Sequence, residues 1–281
     1  MKVKRISYHG KNKNVLKVLS EECPSFGYSF LRKILRKSDV KINSKRIKTD
    51  EIVKDGDIVE FYYSENNKKP EIIYEDENLI AFYKPKKIPS QGENSFEELV
   101  KEECGKNLIL CHRLDTNTDG LIFFAKNERV FDEIKRLFSI GAIEKHYLAE
   151  IYGFVNKKGE YKDYLFKDSV KGRVLLSDKK EKGYKEAILF FSPIAVREKT
   201  TFLDVTLVTG RTHQIRAQLA YHGYPIVGDG KYGKESINNE FGKRTQQLTA
   251  YKTIFHVSDG FLQYLDGKEI RIKKDFFNNF R

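Results

Sequence analysis

The residues best suited to chemistry lie in one stretch, Cys111-His112-Arg113-Leu114-Asp115-Thr116-Asn117-Thr118-Asp119-Gly120. A carboxylate, Asp115, stands here beside an arginine and a histidine on a polar run that Gly120 closes. The following Leu121-Ile122-Phe123-Phe124-Ala125-Lys126 is apolar and β-prone and reads as a buried strand. A carboxylate on a loop braced by such a strand is placed for nucleophilic or general-base work. By spacing alone the same run is also a polar turn, and both readings stand at this point. The three cysteines, Cys23, Cys104 and Cys111, are odd in number and lack paired spacing, which argues against a disulfide framework and a zinc site. His112 and His213 are not at ligand spacing from another metal-binding residue, so both are read as structural, bonding to loop backbone. Two further patterns are set aside. Gly228-Asp229-Gly230-Lys231-Tyr232-Gly233 fits a dinucleotide-loop spacing without the helix that spacing needs. His112-Arg113-Leu114-Asp115 scrambles the kinase order and has no later Asp-Phe-Gly.

Two other blocks follow: Glu144-Lys145-His146-Tyr147-Leu148-Ala149-Glu150, then Thr209-Gly210-Arg211-Thr212-His213-Gln214-Ile215-Arg216 with a later Pro225-Ile226-Val227-Gly228-Asp229. In this order the three blocks resemble the RluA family of pseudouridine synthases. The family pattern is His-Arg-Leu-Asp followed by Thr-x-Gly, then Lys-x-Tyr, then Gly-Arg-Thr-His-Gln-Ile-Arg. Ile80-Ala81-Phe82-Tyr83-Lys84-Pro85 is similar to the family's opening Asn-Lys-Pro strand. The resemblance runs from about Ile72 to the C-terminus. It implies an isomerase that detaches uracil from ribose through nitrogen and rejoins it through C5, with no metal and no cofactor. It makes Asp115 the catalytic carboxylate, as nucleophile or as base. It assigns the guanidinium that keeps Asp115 anionic to Arg211. It makes Tyr147 the ring that packs on the target base and a candidate acceptor of the C5 proton. Arg113 becomes the side chain that fills the gap left by a flipped nucleotide, and Ile215 an apolar contact to the uracil. The chain departs from the pattern twice. Tyr83 stands where asparagine is usual, and Asp119 where a small residue is usual. Asp119 either repels Asp115 or points away and caps the loop, and the second reading is adopted because aspartate suits turns.

Several elements must position these groups. Glu128–Ile140 carries Val130, Phe131, Ile134, Leu137 and Phe138 on one face and stops at Gly141, an amphipathic helix. Ser95-Phe96-Glu97-Glu98 is a capping box opening a short helix toward Cys104. Strands are expected at 72–74, 79–83, 147–151, 174–176, 187–191 and 201–208. Ser64–Pro70 is polar, holds a proline and reads as a linker. Ahead of it, residues 1–63 contain 15 basic and 8 acidic residues, over half of the chain's +12. That excess suits phosphate backbones. Helices over Asn14–Leu19 and Ser29–Lys37, then strands at Val40–Asn43 and Ile58–Tyr63, resemble the small RNA-binding domain named after ribosomal protein S-four. Ser38-Asp39 and Asn43-Ser44 replace its usual glycines. The phosphate-contact candidates are Lys33, Arg36, Lys37, Lys45 and Arg46.

The expected protein is α+β. Residues 1–65 form an S-four-like RNA-binding domain, and 66–281 a pseudouridine synthase catalytic domain with a mixed, largely antiparallel sheet flanked by helices. No apolar run approaches bilayer-crossing length and no signal peptide is apparent; with the unpaired cysteines this fits a reducing cytoplasm, and a monomer is expected. The expected partner is RNA, large-subunit ribosomal RNA ahead of tRNA. A non-catalytic ribosome-assembly factor on the same fold is the reading from another class, and intact Asp115, Tyr147 and Arg211 argue against it.

Overall fold

The computed structural model describes residues 2–63, 69–105, 107–168, 170 and 172–273. Ser64–Lys68, which hold most of the expected linker and the 65/66 boundary, lie outside them. The chain divides into two compact units, Met1–Glu71 with Gln91–Leu108, and Ile72–Ser90 with Ile109–Arg281.

The first unit begins with β1 (Lys2–Ser7), β2 (Lys13–Asn14), α1 (Val15–Glu22) and α2 (Tyr28–Arg36), followed by β3 (Val40–Ile42), β4 (Lys45–Ile47), β5 (Ile52–Val53) and β6 (Ile58–Tyr63). Val15, Leu16, Val18 and Leu19 of α1 are buried with Leu31, Ile34 and Leu35 of α2 against Val40, Val59 and Phe61 of the sheet β1-β6-β3-β4. The helical spacing of these residues leaves the charged side chains Arg32, Lys33 and Arg36 exposed. Later in the chain come β7 (Glu71–Glu75), β8 (Leu79–Lys84) and α3 (Phe96–Cys104). The α3 helix belongs to the first unit. Ser95 caps it, accepting the Glu98 backbone N–H at 3.2 Å, and Glu98 accepts the Asn94 N–H at 2.8 Å. At its far end the Glu103 carboxylate occupies the space where any side chain at Gly27 would go.

The second unit is built on one sheet. Its remaining elements are β9 (Ile109–Leu110), β10 (Asp119–Ala125), α4 (Glu128–Ser139), β11 (Ile143–Tyr152), β12 (Gly159–Asp168), β13 (Arg173–Ser177), β14 (Lys185–Val196), β15 (Thr200–Leu207), α5 (Gln214–Tyr221), α6 (Glu235–Glu240), β16 (Leu248–Phe255) and β17 (Glu269–Arg271). Among the described residues the sheet has eleven strands, in the order β13-β12-β14-β15-β11-β16-β10-β8-β7, with β17 beside β16 and β9 beside β10. From β13 across to β8, with β9 and β17, the pairings are antiparallel except β10 with β16, which is parallel. The sheet is therefore mixed and largely antiparallel, as expected.

Register assigns the two faces. Lys84, Gly120, Ala250, Tyr147 and Val205 are successive cross-strand partners and share one face. Asp119, Leu121, Phe123, Leu148 and Phe202 alternate onto the other face. There α4 packs Val130, Ile134 and Leu137 on Leu121 and Phe123. Asn127 caps α4, accepting the Val130 N–H at 3.0 Å. Four strands of this sheet are not expected from the sequence, the short β9 and β17 and the long β12 and β16. Charged residues alternate through β12, which exposes one face, and β16 is interrupted by Thr249, Lys252 and Thr253. None of the helices described is long and apolar enough to cross a membrane.

Gly120 is where this sheet is tightest. Its φ is 118°, and a Cβ there would lie 2.0 Å from the Ala250 carbonyl oxygen. Gly120→Ala is expected to cost about 3 kcal/mol or more of stability, from strained φ plus overpacking. Urea unfolding measures it; an unchanged midpoint would mean that β10 and β16 can part at no cost.

Candidate active site

The loop from Cys111 to Thr118 enters β10 and is pinned at four places. His112 Nε2 accepts the Phe123 backbone N–H at 3.2 Å, so this histidine bonds backbone as expected. Burial, then the charge of Lys145, pushes its pKa down to about 3, which keeps the ring neutral for that bond. Ser90 Oγ donates to the Leu114 carbonyl at 2.7 Å and accepts the Leu114 N–H at 2.9 Å. Gln246 Nε2 donates to Thr118 Oγ1 at 2.7 Å. The fourth pin is Lys84, fully buried at the end of β8. Its ammonium donates to the carbonyls of Ile88 at 2.9 Å, Pro85 at 3.0 Å and Thr116 at 3.3 Å. Burial pushes its pKa down to about 8, against the pull of the Asp119 and Asp115 charges. In the sequence Lys84 stands out only as part of the Tyr83-Lys84-Pro85 motif.

This loop holds Asp115 about a quarter exposed. Arg216 Nη1 donates to Asp115 Oδ2 at 2.7 Å. The rest of the same guanidinium clasps Asp229, Nε to Oδ2 at 2.7 Å and Nη2 to Oδ1 at 3.0 Å. Asp229 is 1% exposed, and it also accepts the backbone N–H groups of Lys231 and Tyr232. Burial alone would raise its pKa; the hydrogen bonds and charge of Arg216 prevail and hold it below the usual carboxylate range. Arg216 itself stays charged despite burial because it faces both carboxylates.

The expectation that Arg211 supplies this guanidinium is corrected by the geometry. Arg211 precedes α5, is exposed, and its Nε donates to the Glu186 carbonyl at 3.1 Å. Gln214 holds the turn that carries it, accepting the Arg211 N–H at 3.0 Å and the Thr209 hydroxyl at 2.8 Å. Arg216 is instead the third residue of α5 and points inward. The motif contains both arginines, and only the start of the helix decides between them.

Tyr147 lies on the same sheet face as Lys84, 7% exposed. Burial first, then the negative charge of Asp115, raises its pKa and keeps the phenol protonated. Arg113 is exposed beside Asp115 in sequence, and Ile215 is buried in the first turn of α5. His213 is corrected too. It does not bond loop backbone with its ring; its Nε2 stands 4.0 Å from Asp115 Oδ1 and its Nδ1 2.8 Å from the Tyr232 hydroxyl.

Asp119 points away from Asp115, though not as a loop cap. It is the first residue of β10, where Oδ2 accepts the Tyr83 hydroxyl and Oδ1 the Thr249 hydroxyl, each at 2.7 Å. The two departures from the family pattern, Tyr83 and Asp119, are thus hydrogen-bonded to each other. Asp119 faces a separate hollow of about 330 Å³ shared with Lys86, Glu150 and Arg197. Among the described residues no three histidine, cysteine or acidic side chains are grouped to hold a metal ion.

A family model described as RNA pseudouridylate synthase matches residues 78–221. The chain belongs to the RNA pseudouridylate synthase family. The RluA-type motifs around Asp115, Tyr147 and Arg216 all fall inside the matched residues. An uncharacterized RNA pseudouridine synthase of Helicobacter pylori is 36% identical over 168 residues, covering 59% of this chain and 65% of that protein. The matched part thus spans just under two thirds of that relative. Ribosomal large subunit pseudouridine synthase C of Rickettsia felis is 30% identical, covering 79% of this chain and 82% of its own. The mitochondrial tRNA pseudouridine(32) synthase of Saccharomyces cerevisiae is 26% identical over 84% of this chain and 54% of its own. Among solved structures, human RNA pseudouridylate synthase domain containing 4 superposes with a TM-score of 0.60 at 21% identity, over 74% of this chain and 90% of that one. That likeness is one of fold, and the family's sheet is the one described above.

Lys84 gives the site a signature in stability. Below about pH 8 the lysine is charged in folded and unfolded chains alike, so the cost of burying the charge is constant. Between about pH 8 and its ordinary value of 10.5 the folded chain gives up the proton first. The contribution of Lys84 to stability therefore rises with pH across that window. The unfolding free energy of wild type minus that of Lys84→Met should grow by up to about 3 kcal/mol. A flat difference would show that burial leaves the pKa of Lys84 where it stands in the unfolded chain.

Proposed function

We propose that this protein is a pseudouridine synthase acting on large-subunit ribosomal RNA, with Asp115 as its working carboxylate. The observation that carries the reading is the contact of Arg216 with Asp115, itself anchored by buried Asp229. An isomerisation of this kind breaks the bond from ribose C1′ to uracil N1 and makes one from C1′ to C5. C5 loses its hydrogen, N1 gains one, and nothing is oxidised. A carboxylate suffices, either as nucleophile at the nucleoside or as base on the ribose. Arg216 sets a charged donor against the carboxylate that both routes use. A protonated Tyr147 on the same sheet face supplies a flat ring for the base. Exposed Arg113 is available to fill the duplex when the target nucleotide leaves its stack, and Ile215 supplies an apolar wall.

Large-subunit RNA is favoured by the Rickettsia relative, whose name specifies it and which matches over most of both chains. The yeast relative, named for tRNA, supports tRNA as the second reading. The N-terminal unit supports RNA of either kind through an S-four-like surface. Lys33, Arg36, Lys37, Lys45 and Arg46 are all exposed, and none forms an ion pair with a described residue. Ser38, Asn43 and Ser44, at and beside the expected glycine positions, have φ of 61°, 49° and 68°. The backbone keeps a glycine-like shape there without glycine.

Two outcomes are expected. With RNA labelled at uracil C5, wild type releases label to water and Asp115→Asn does not, while both retard RNA equally. Label release by the mutant would remove Asp115 from its role; no release by wild type from either RNA would favour a binding factor. Replacing Lys33, Arg36 and Lys37 with glutamine should flatten the plot of log affinity against log salt by about 2. An unchanged slope would mean that these residues do not touch phosphate.

A further inference from the structure

His213 is the residue immediately before α5, and its φ of 54° is left-handed. That conformation costs a non-glycine residue about 1–2 kcal/mol, and strain of this sort collects where a side chain is held for a purpose. The ring lies between two functional neighbours. Its Nδ1 is 2.8 Å from the Tyr232 hydroxyl, and its Nε2 is 4.0 Å from Asp115 Oδ1.

The hydrogen-bond sequence assigns the tautomer. The Tyr232 oxygen accepts the Val174 backbone N–H at 3.0 Å. Its own proton then goes to His213 Nδ1, the acceptor within reach. A neutral imidazole that accepts at Nδ1 carries its proton on Nε2. Burial, opposed by Asp115 and helped by the charge of Arg216, holds the ring's pKa below its ordinary value, which agrees with a neutral ring. The two oxygens of Asp115 are therefore treated differently: Oδ2 takes a charged donor at 2.7 Å, and Oδ1 faces a neutral one. At 4.0 Å the Nε2–H stops short of a direct hydrogen bond to Oδ1, and the gap closes only through a bridging water or a small rotation of Asp115.

We propose that His213 is a positioning residue for Asp115, a neutral Nε2–H donor that sets the rotation of the carboxylate and is itself oriented by Tyr232. The role rests on the reading that Asp115 is the working carboxylate. A neutral donor suits it because it steers the anion without neutralising it.

The test compares single-turnover rates, RNA affinities and melting temperatures of full-length variants. His213→Asn tolerates the left-handed backbone but ends short of Asp115. Its rate should fall about 100-fold, as expected for a misplaced reacting group, with RNA affinity and melting temperature close to wild type. His213→Gln carries an amide N–H out to the Nε2 position and should recover about tenfold over the asparagine variant, though the backbone suits it less. Tyr232→Phe leaves the backbone alone and frees the tautomer, so its rate should fall about tenfold. Asp115→Asn runs alongside. If it keeps turning over, the reading of Asp115 and this proposal fall together. If it is silent while His213→Asn reacts at the wild-type rate, only the role of His213 falls. The role is also overturned if glutamine is no better than asparagine, or if the losses follow melting temperature. Should both His213 variants fail to fold, Tyr232→Phe decides, and a wild-type rate there overturns the proposal.

Discussion

One guanidinium between two carboxylates organises the second unit. Arg216 meets buried Asp229 with two nitrogens and Asp115 with the third. A charge this deep is tolerable only where partners replace water, and breaking such a buried pair costs about 3–5 kcal/mol. The cluster therefore fixes where α5 starts, since Arg216 must project from its first turn. It also fixes where the chain runs after α5, since Asp229 must return beneath the same side chain. Asp229 is held in turn by backbone N–H groups of Lys231 and Tyr232, so the anchor is rigid before it reaches Asp115.

The loop carrying Asp115 is restrained from the other side by neutral and charged donors alike. Lys84 ties three carbonyls, and Ser90 and Gln246 take Leu114 and Thr118. These restraints come from segments distant in sequence: Lys84 ends β8, Ser90 lies in the loop after it, and Gln246 stands just ahead of β16. The result is a polar loop with little freedom of its own, supported by the apolar strand β10, all of whose residues are buried. Rigid support of a short polar loop is what lets a single carboxylate be aimed within a fraction of an ångström.

Much of this was legible in the sequence, and the misses have physical causes. The β10 strand, the α4 helix and the capping box before α3 were readable because apolar period and cap chemistry agree there. The β12 strand was not, because one of its faces is solvated and its charges mask the alternation. The motif singles out Asp115 and Tyr147, yet cannot choose between Arg211 and Arg216 for the guanidinium beside Asp115. That choice depends on a helix boundary, and the left-handed His213 that sets it has no signal in residue type. The pairing of Tyr83 with Asp119 was equally invisible: each looked like a separate departure until sheet register made them neighbours. Buried Lys84 was hidden too, because a lysine in sequence reads as solvated unless three carbonyls converge on it.

The assignment of Gln91–Leu108 to the same compact unit as the first 71 residues bears on how the protein is made. A ribosome delivers β7 and β8 of the second unit before the α3 helix that completes the first. The N-terminal unit thus cannot finish packing α3 onto α2 when its own stretch of chain emerges; it waits until α3 ends at Cys104, roughly thirty residues past Glu71. A recombination event that exchanged the chain at one point near residue 70 would separate α3 from the helix it packs against. Glu103 would then lose the close fit against Gly27. The two units alternate along the chain, so one crossover cannot exchange either of them whole.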